Sequence, residues 1–226
     1  MSHTPLLRRY VLFLAGVIFS ALGIALITLA GMGTSAVSSL AYVLTFVFPG
    51  VTLGTFTFVV NCVMLGGQIL LLRRKFQPIQ LLQVPATFLF SYCIDLWMSL
   101  LGSIVPHFYL GQWVVLLLGC LSLGFGVALE VIPNVLILPC EGFVRTCSQV
   151  FGWEFGKVKT GYDLLMVVSA ALVSFLCLGS IFGLREGTVV CALTVGSISR
   201  FFCKRLGFLL ESRRKAAALT DADLPA

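Results

Sequence analysis

Charged side chains are scarce in this sequence: only 11% of its 226 residues are Asp, Glu, Lys or Arg, whereas about 25% is usual in soluble domains. Hydrophobic residues make up 59% of the chain, and the mean hydropathy is +1.06. Several apolar runs reach the ~20 residues that a helix needs to cross a bilayer. These runs are continuous rather than alternating, which excludes a transmembrane β-barrel. The composition therefore predicts an all-α polytopic membrane protein that lies in a lipid bilayer.

The signatures of common soluble enzymes are also missing. There is no G-x-x-x-x-G-K-[ST], which excludes an ATP-driven motor within this chain, and there is no H-E-x-x-H or G-x-S-x-G. The sequence has only two histidines, so a histidine-based catalytic site is not expected. We predict that the protein is not an enzyme and holds no cofactor.

Cysteine is present, but not in the spacing of a redox or metal site. The eight cysteines include no C-x-x-C pair, and most of them fall inside apolar runs. There a free thiol behaves as a small hydrophobic side chain, so neither a disulfide framework nor a metal site is expected. The formal net charge of +6 does not predict nucleic-acid binding. The Lys and Arg residues flank apolar runs, where positive charge usually sets the orientation of a membrane protein.

Six apolar runs predict membrane-spanning helices. The first run follows Arg8 and Arg9, but it is longer than the ~7–15-residue apolar core of a secretory signal, so we expect it to be retained. The predicted spans are residues 10–30, 53–72, 82–104, 112–131, 158–181 and 186–202.

Two polar segments with glycine or proline interrupt these runs: residues 29–40, here called break 1, and residues 132–143, called break 2. After break 1, Thr34 or Ser35 is predicted to cap a short helix that ends near residue 48. Paired breaks in corresponding halves of a membrane protein indicate a transport site.

Break 2 leads into a second short helix, predicted over residues 140–151. At about 1.5 Å per residue, helices of this length do not reach comfortably across a ~30 Å apolar core. We therefore predict two re-entrant or broken half-helices in addition to the six spans.

The distribution of positive charge supports this count. If the half-helices do not cross the bilayer, both termini lie on one side, together with fourteen of the fifteen Lys and Arg residues. The opposite side holds only Arg185. Because positive charge collects on the cytoplasmic side, the sequence predicts a multi-pass protein of the bacterial inner membrane with both termini in the cytoplasm.

A weak internal repeat divides the membrane region into two. At an offset of 102 residues, the runs that begin near Leu53 and Phe155 align, and Asn61 falls on Asp163. Each half holds three spans, an odd number, so the halves are predicted to be inverted repeats. At an offset of 103 residues, Gly16 falls on Gly119 and Gly23 on Gly126.

The repeat sets the predicted domain boundaries. Residues 1–105 form the first membrane repeat and residues 106–207 the second. Residues 208–226 form a polar cytoplasmic tail that we expect to be frayed beyond the last helix.

The two breaks supply most of the candidate substrate-binding residues. The N-terminus of a half-helix presents unpaired N–H groups and a partial positive charge, so two such ends would form an anion-friendly pocket. Each residue also has a structural alternative: Glu141 as a helix cap, Cys140 as a small residue in a bend, and Asn61 as an interhelical hydrogen-bond partner. The predicted substrate-binding residues are Thr34, Ser35, Ser38, Asn61, Cys140 and Glu141.

Acidic residues at membrane depth are costly, by at least ~2.5–3.5 kcal/mol on insertion scales, and each is therefore a candidate functional residue. Asp95, the most isolated, and Asp163, the repeat partner of Asn61, are the predicted ion-coupling residues. The alternatives are an ion pair with Arg200 for Asp95 and an interhelical hydrogen bond for Asp163. Glu130 is close to the predicted end of the fourth span, so we expect it to be exposed to solvent.

The first break carries a family resemblance. Residues 31–40 (Gly-Met-Gly-Thr-Ser-Ala-Val-Ser-Ser-Leu), followed by Leu-Gly-Thr-Phe at residues 53–56, resemble the YczE/YyaS/YitT family of bacterial integral membrane proteins. The likeness extends over roughly residues 8–207. Family members often have Pro at the position of Ala36 and a Pro-Gly-(Asp/Glu)-Gly turn where residues 139–142 read Pro-Cys-Glu-Gly. The resemblance implies a permease-like layout and an amino-acid- or vitamin-like solute.

Three functions are compatible with these patterns. The leading prediction is a secondary transporter of a small anionic or zwitterionic solute, which works by rocking one half against the other. A homodimer is compatible with this function. The first alternative is a non-transporting accessory or regulatory protein that acts with a partner complex. The second is an intramembrane enzyme that uses Cys140 and Glu141.

Overall fold

The computed structural model describes residues 6–73, 78–103, 108–133 and 135–222, with side chains described for 7–73, 80–103, 108–133 and 135–206. Within these ranges the chain forms eight α-helices, and a short 3₁₀ helix (Pro78–Leu82) precedes the fourth. The helices are α1 (Leu6–Leu29), α2 (Ser39–Val47), α3 (Leu53–Leu72), α4 (Gln83–Leu101), α5 (Tyr109–Val131), α6 (Pro139–Phe151), α7 (Phe155–Leu178) and α8 (Glu186–Ala222).

The predicted all-α membrane architecture is confirmed. Five segments among the described residues are long and apolar enough to cross a bilayer: Leu7–Leu29, Leu53–Leu72, Gln80–Leu101, Tyr109–Val131 and Phe155–Leu178. The sixth predicted span, residues 186–202, is the first half of α8. It is not one of these five segments, and Glu186 and Arg200 lower its hydropathy.

The two half-helices are present, but α2 is shorter than predicted. It has nine residues and begins at Ser39, with Ser38 rather than Thr34 or Ser35 as its N-cap. The prediction of the cap was wrong because the hydroxyl groups of break 1 bond to one another, which keeps residues 34–38 out of the helix. In contrast, α6 begins at Pro139, one residue before the predicted start, and ends at Phe151 as predicted.

The tail also differs from the prediction, because α8 continues to Ala222. Its last turns are rich in Ala, Leu, Lys and Arg, which are strong helix formers. The predicted boundary between the halves at residues 105 and 106, and the last four residues of the tail, lie outside the described residues.

Helix contacts recur in the two halves of the chain. The packing of α1 on α4 is matched by α5 on α8, and that of α2 on α3 by α6 on α7. Each half-helix also packs on the other half, α6 on α3 and α2 on α7. One pair departs from the pattern: α3 packs extensively on α4, whereas the described parts of α7 and α8 touch at most marginally. This recurrence agrees with the sequence repeat, except that α7 and α8 are separated by a gap where α3 and α4 are packed together.

The halves meet along α1 and α5, where glycines allow close approach of the two backbones. A Cβ atom on Gly16 would lie 2.9 Å from the carbonyl oxygen of Gly126, and one on Gly119 would lie 3.1 Å from that of Gly23. The sequence offset of 103 residues converts the first contact into the second. The seam between α1 and α5 is therefore where an axis that relates the halves would pass.

Breaks 1 and 2 enter the bundle from opposite ends. Break 1 is bonded to the start of α8, where the N–H of Gly187 donates to the carbonyl of Met32 at 2.9 Å. Break 2 is bonded to the start of α1, where Arg9 Nε donates to the carbonyl of Pro133 at 2.9 Å. The order of the residue contacts along each helix shows that α1 and α5 are antiparallel and that α5 and α8 are parallel. The starts of α1 and α8 therefore lie at opposite ends.

Substitution of Gly126 by Ala should destabilise the α1–α5 seam. The new Cβ atom would fall against the backbone nitrogen of Ser20 and lie 2.8 Å from the carbonyl of Gly16. Since neither backbone can yield without separating the helices, we expect a loss of about 1–3 kcal/mol. The measurement is the fraction of detergent-solubilised protein that stays monodisperse as the temperature is raised.

The matched control is Gly66→Ala on α3, where a Cβ atom would meet nothing within 4 Å. Alanine favours a helix over glycine by about 1 kcal/mol, so this variant should be as stable as the native protein or slightly more stable. Equal behaviour of the two variants would contradict the close seam.

Candidate functional site

Breaks 1 and 2 meet at a cavity of about 290 Å³. This volume is at the small end of ligand pockets, which are about 300–1,000 Å³. Each of the eight helices contributes at least one residue to the wall of the cavity, and so do both breaks. The polar lining residues are Ser20, Ser35, Ser38, Thr57, Asn61, Glu130, Cys140, Glu141, Lys159, Thr160, Asp163, Cys191, Ser199 and Arg200.

Hydroxyl groups hold break 1 in shape. Thr28 Oγ1 lies 3.0 Å from Thr34 Oγ1, which lies 2.9 Å from Ser38 Oγ, and Ser38 Oγ lies 2.7 Å from Ser35 Oγ. All four residues are buried. The chain of hydrogen bonds replaces the helical bonds lost at the break and turns Ser35 and Ser38 toward the cavity.

The start of α8 clamps the outer side of break 1. Besides the bond from Gly187 to Met32, the N–H of Thr34 donates to Thr188 Oγ1 at 3.2 Å. Gly33 has φ +115°, and a Cβ atom there would collide with Thr188 Oγ1. Only glycine fits this position, because both the backbone conformation and the space exclude a side chain.

Break 2 is held by α3. Pro139 occupies the first turn of α6, and its carbonyl accepts a hydrogen bond from Gln68 Nε2 at 2.8 Å. The next N–H, that of Cys140, donates to Asn61 Oδ1 at 3.3 Å. A Cβ atom on Gly142 would lie 2.9 Å from Gln68 Nε2, so this glycine makes room for the buried amide. Asn61 thus both supports the break and lines the cavity.

The N–H groups at the starts of the half-helices are largely occupied, which differs from the predicted anion pocket. The N–H of Ser38 donates to the carbonyl of Ser35 at 3.1 Å, and that of Ser39 to the carbonyl of Ala36 at 3.3 Å. The N–H of Cys140 is bonded to Asn61. Because these donors are used within the protein, recognition of charge in the cavity falls to the side chains.

Charged side chains of both signs line the cavity. They come from the last turn of α5, the first turn of α6, the first half of α7 and the middle of α8. This places them toward the break 2 end, whereas break 1 contributes hydroxyl groups at the other end. The five charged lining residues are Glu130, Glu141, Lys159, Asp163 and Arg200.

Glu130 is the main site residue that the sequence prediction missed. It is 3% exposed, not solvent-exposed as predicted, and its Oε1 accepts a hydrogen bond from Ser20 Oγ at 2.6 Å. A Cβ atom on Gly16 would lie 2.8 Å from Glu130 Cγ, so the glycine leaves space for the carboxyl group. The apolar run ends near Glu130, which suggested exposure. The opposing signal was the repeat, which pairs the glycines of α1 and α5 and puts Glu130 one turn beyond Gly126.

Asp163 lines the cavity as part of an ion pair. Its Oδ1 lies 3.0 Å from Lys159 Nζ, and both side chains are 27% exposed. The two residues are four positions apart on α7, a spacing that brings side chains together on a helix. Lys159 was counted only as an orienting charge, although this spacing in the sequence was enough to predict the pair.

The structure brings together six of the eight predicted site residues: Ser35, Ser38, Asn61, Cys140, Glu141 and Asp163. Thr34 is buried behind Ser38 and does not line the cavity. Asp95 lies elsewhere, at the start of α3, where its carboxylate accepts hydrogen bonds from the N–H of Gly54 at 2.8 Å and Thr52 Oγ1 at 2.6 Å. No ion pair joins Asp95 to Arg200 among the described side chains.

One family model matches most of the chain. It is described as a family of unknown function (DUF6198) and covers residues 7–204. No curated protein and no solved structure matches the chain. The resemblance to the YczE/YyaS/YitT family stays a prediction.

Replacement of Asp95 by Ala should lower stability without altering the cavity. The variant loses the two hydrogen bonds at the start of α3, and removal of such a cap usually costs about 0.5–2 kcal/mol. Thermal unfolding in detergent measures the effect, with Ser99→Ala on the same helix as the control, because that exposed hydroxyl bonds only to its own helix. Unchanged stability together with loss of ion-dependent transport would instead favour the predicted coupling role.

Proposed function

This chain belongs to that family of unknown function, and we propose that it is a secondary transporter that carries a small zwitterionic solute across a bacterial cytoplasmic membrane. The observation that supports this function most directly is the meeting of both helix breaks at one charged cavity. Irregular backbone at membrane depth is tolerated only where it is buried in protein or lines a water-filled cavity. Two such breaks at a shared cavity are the arrangement from which secondary transporters build their binding sites.

The charges in the cavity favour a zwitterion over a simple anion. Arg200 and Lys159 supply cations for a solute carboxylate, and Glu141 supplies a carboxyl group for a solute ammonium. With the half-helix N–H groups largely occupied, a purely anionic solute would face three acids and two bases. A solute with both charges finds a partner for each. The small volume favours a solute the size of an amino acid.

The gap between α7 and α8 suggests how the solute enters. Residues of both helices line the cavity, while the equivalent pair in the other half, α3 and α4, is packed together. In a transporter with inverted repeats, the two halves exchange such arrangements during alternating access. We propose that the present state is open between α7 and α8, and that the opposite state has these helices packed and α3 separated from α4.

The open end in this proposal faces the cytoplasm. The charged part of the cavity lies toward break 2, on the side where the positive-inside rule puts both termini. The other end is closed by the clamp on break 1, to which Arg185 Nη1 adds a bond to the carbonyl of Gly31 at 3.2 Å. Release of this clamp would open the site to the outside.

Uptake by proteoliposomes tests the proposal. Purified protein is reconstituted, and a panel of radiolabelled amino acids is presented with an imposed proton or sodium gradient. We expect at least one amino acid to accumulate above the level in protein-free liposomes. If no amino acid moves and the protein instead copurifies at a fixed ratio with another membrane protein, the accessory function replaces transport.

Substitution of Arg200 by Gln should weaken binding of the transported amino acid. Loss of one charge-assisted hydrogen bond, worth about 1.5–3 kcal/mol, should raise the KM for uptake by at least about tenfold. The control is Arg205→Gln on the same helix, since Arg205 lies outside the cavity with its guanidinium 5.6 Å from the ring of Phe201. Equal KM values in the two variants would remove Arg200 from the site.

A further inference from the structure

Glu130 lies where the seam between the halves meets the cavity. It belongs to the last turn of α5, is 3% exposed, and accepts a hydrogen bond from Ser20 on α1 at 2.6 Å. Its side chain also lines the cavity. No Lys or Arg forms an ion pair with it among the described side chains. A carboxyl group that is buried without a cation is costly in its charged form, and such groups in membrane proteins mark proton pathways.

The other titratable groups around the cavity come from four elements. On α1, Arg9 is bonded to the carbonyl of Pro133 beyond the end of α5. From the remaining helices, Cys140 and Glu141 of α6, Lys159 and Asp163 of α7, and Cys191 and Arg200 of α8 line the same cavity. Lys159 is already paired with Asp163 at 3.0 Å. Glu130 is therefore the buried carboxyl group that combines direct access to the cavity with contact across the seam.

We propose that Glu130 is the proton-binding residue that couples solute transport to the proton gradient, with Ser20 as its positioning residue. This inference rests on the transport function proposed above. A proton that enters the cavity binds a carboxylate oxygen of Glu130, and it leaves to water when the cavity opens on the other side of the membrane. Asp95, which the sequence suggested for this role, instead caps α3 outside the cavity.

Electrostatics supplies the coupling between proton and solute. The lining contains three acids and two bases, so its formal charge is −1 with every group ionised and 0 when Glu130 holds a proton. Protonation of Glu130 thus changes the charge that a solute meets in the cavity. Because such a linkage is reciprocal, binding of the solute also changes the affinity of Glu130 for the proton.

The surroundings of Glu130 suit a proton better than a metal cation. Hard cations such as Ca²⁺ require six to eight oxygen ligands in total. The hydrogen bond that Glu130 makes is to a single hydroxyl group, that of Ser20. No cluster of three or more His, Cys, Asp or Glu side chains able to hold a metal occurs among the described residues. A proton needs only the carboxylate itself and one partner to orient it.

The hydrogen bond to Ser20 also connects protonation to helix packing. Ionised Glu130 accepts a hydrogen bond from the hydroxyl group of Ser20, while the neutral acid can donate a hydrogen bond to it. Ser20 lies against Gly126: a Cβ atom added to Gly126 would contact both the backbone nitrogen and the hydroxyl oxygen of Ser20. A change of hydrogen-bond direction at this point therefore acts on the tightest part of the α1–α5 contact.

Infrared spectroscopy of the reconstituted protein tests protonation without any solute. Difference spectra recorded across a pH titration should contain a carbonyl stretch of protonated Glu130 among those of the other carboxylic acids, and this band should disappear in Glu130→Gln. Glu154→Gln is the control, because Glu154 is exposed and paired with Lys157, and it should keep the band. Ser20→Ala should keep the band at a shifted frequency, since the hydrogen-bond partner is lost. An unchanged band in Glu130→Gln would overturn the assignment.

Proton movement tests the coupling. Proteoliposomes that contain a trapped pH dye are exposed to an equimolar mixture of the twenty amino acids, and native protein should acidify the lumen. Glu130→Gln should lose the acidification but keep exchange of labelled amino acid down its gradient. Glu130→Asp, which retains a carboxyl group, checks that the loss is not a failure to fold and should keep a measurable part of the acidification.

The outcomes separate the two proposals. If the native protein accumulates amino acids without acidification, or if Glu130→Gln acidifies as the native protein does, the role of Glu130 is wrong and the transport function stands. If the native protein moves none of the amino acids, the transport proposal fails and the coupling role fails with it.

Discussion

The structure depends on one constraint: a backbone that leaves the helix within an apolar environment must find other partners for its N–H and C=O groups. Break 1 meets it with a chain of hydroxyl groups and a clamp from α8. Break 2 meets it with two amides of α3, Asn61 and Gln68. In both cases the partners come partly from the other half of the chain, so neither break can form its observed shape within its own half alone. The need to satisfy broken helices is what joins the halves around the cavity.

The α1–α5 seam provides the rigid part of this arrangement. Glycines at matched positions of the repeat allow the backbones to approach on both sides of the crossing. The same close approach brings the last turn of α5 against α1 and carries Glu130 into the interior. The polar half-helices and the loosely joined α7 and α8 surround this seam. A tight centre with less tightly packed elements around it is consistent with rocking of one half against the other.

Much of this organisation could be predicted from the sequence, and the limits of prediction have physical causes. Long apolar runs and glycine- or proline-containing breaks are direct consequences of the bilayer environment, so the helices and the half-helices could be predicted. Six of the eight predicted site residues line the cavity. The errors concern what a side chain meets across the bundle. Asp95 looked isolated in the sequence because its partners, Thr52 and Gly54, are about forty positions away on another helix. Thr34 looked like a helix cap because the sequence does not show that its hydroxyl group would form a hydrogen bond with that of Ser38.

Glu130 shows how far a repeat can extend sequence reasoning. An acid near the end of an apolar run is usually interpreted as exposed, yet pairing the glycines of the two halves places it against Ser20. Its counterpart in the first half, at the offset of 103 that pairs the glycines of α1 and α5, is Ile27, which packs against Gly119. One half therefore has a buried apolar side chain where the other has a carboxyl group that can change its charge. This difference breaks the symmetry of the repeat beside the cavity, so the proposed proton-binding role belongs to one half of the chain only.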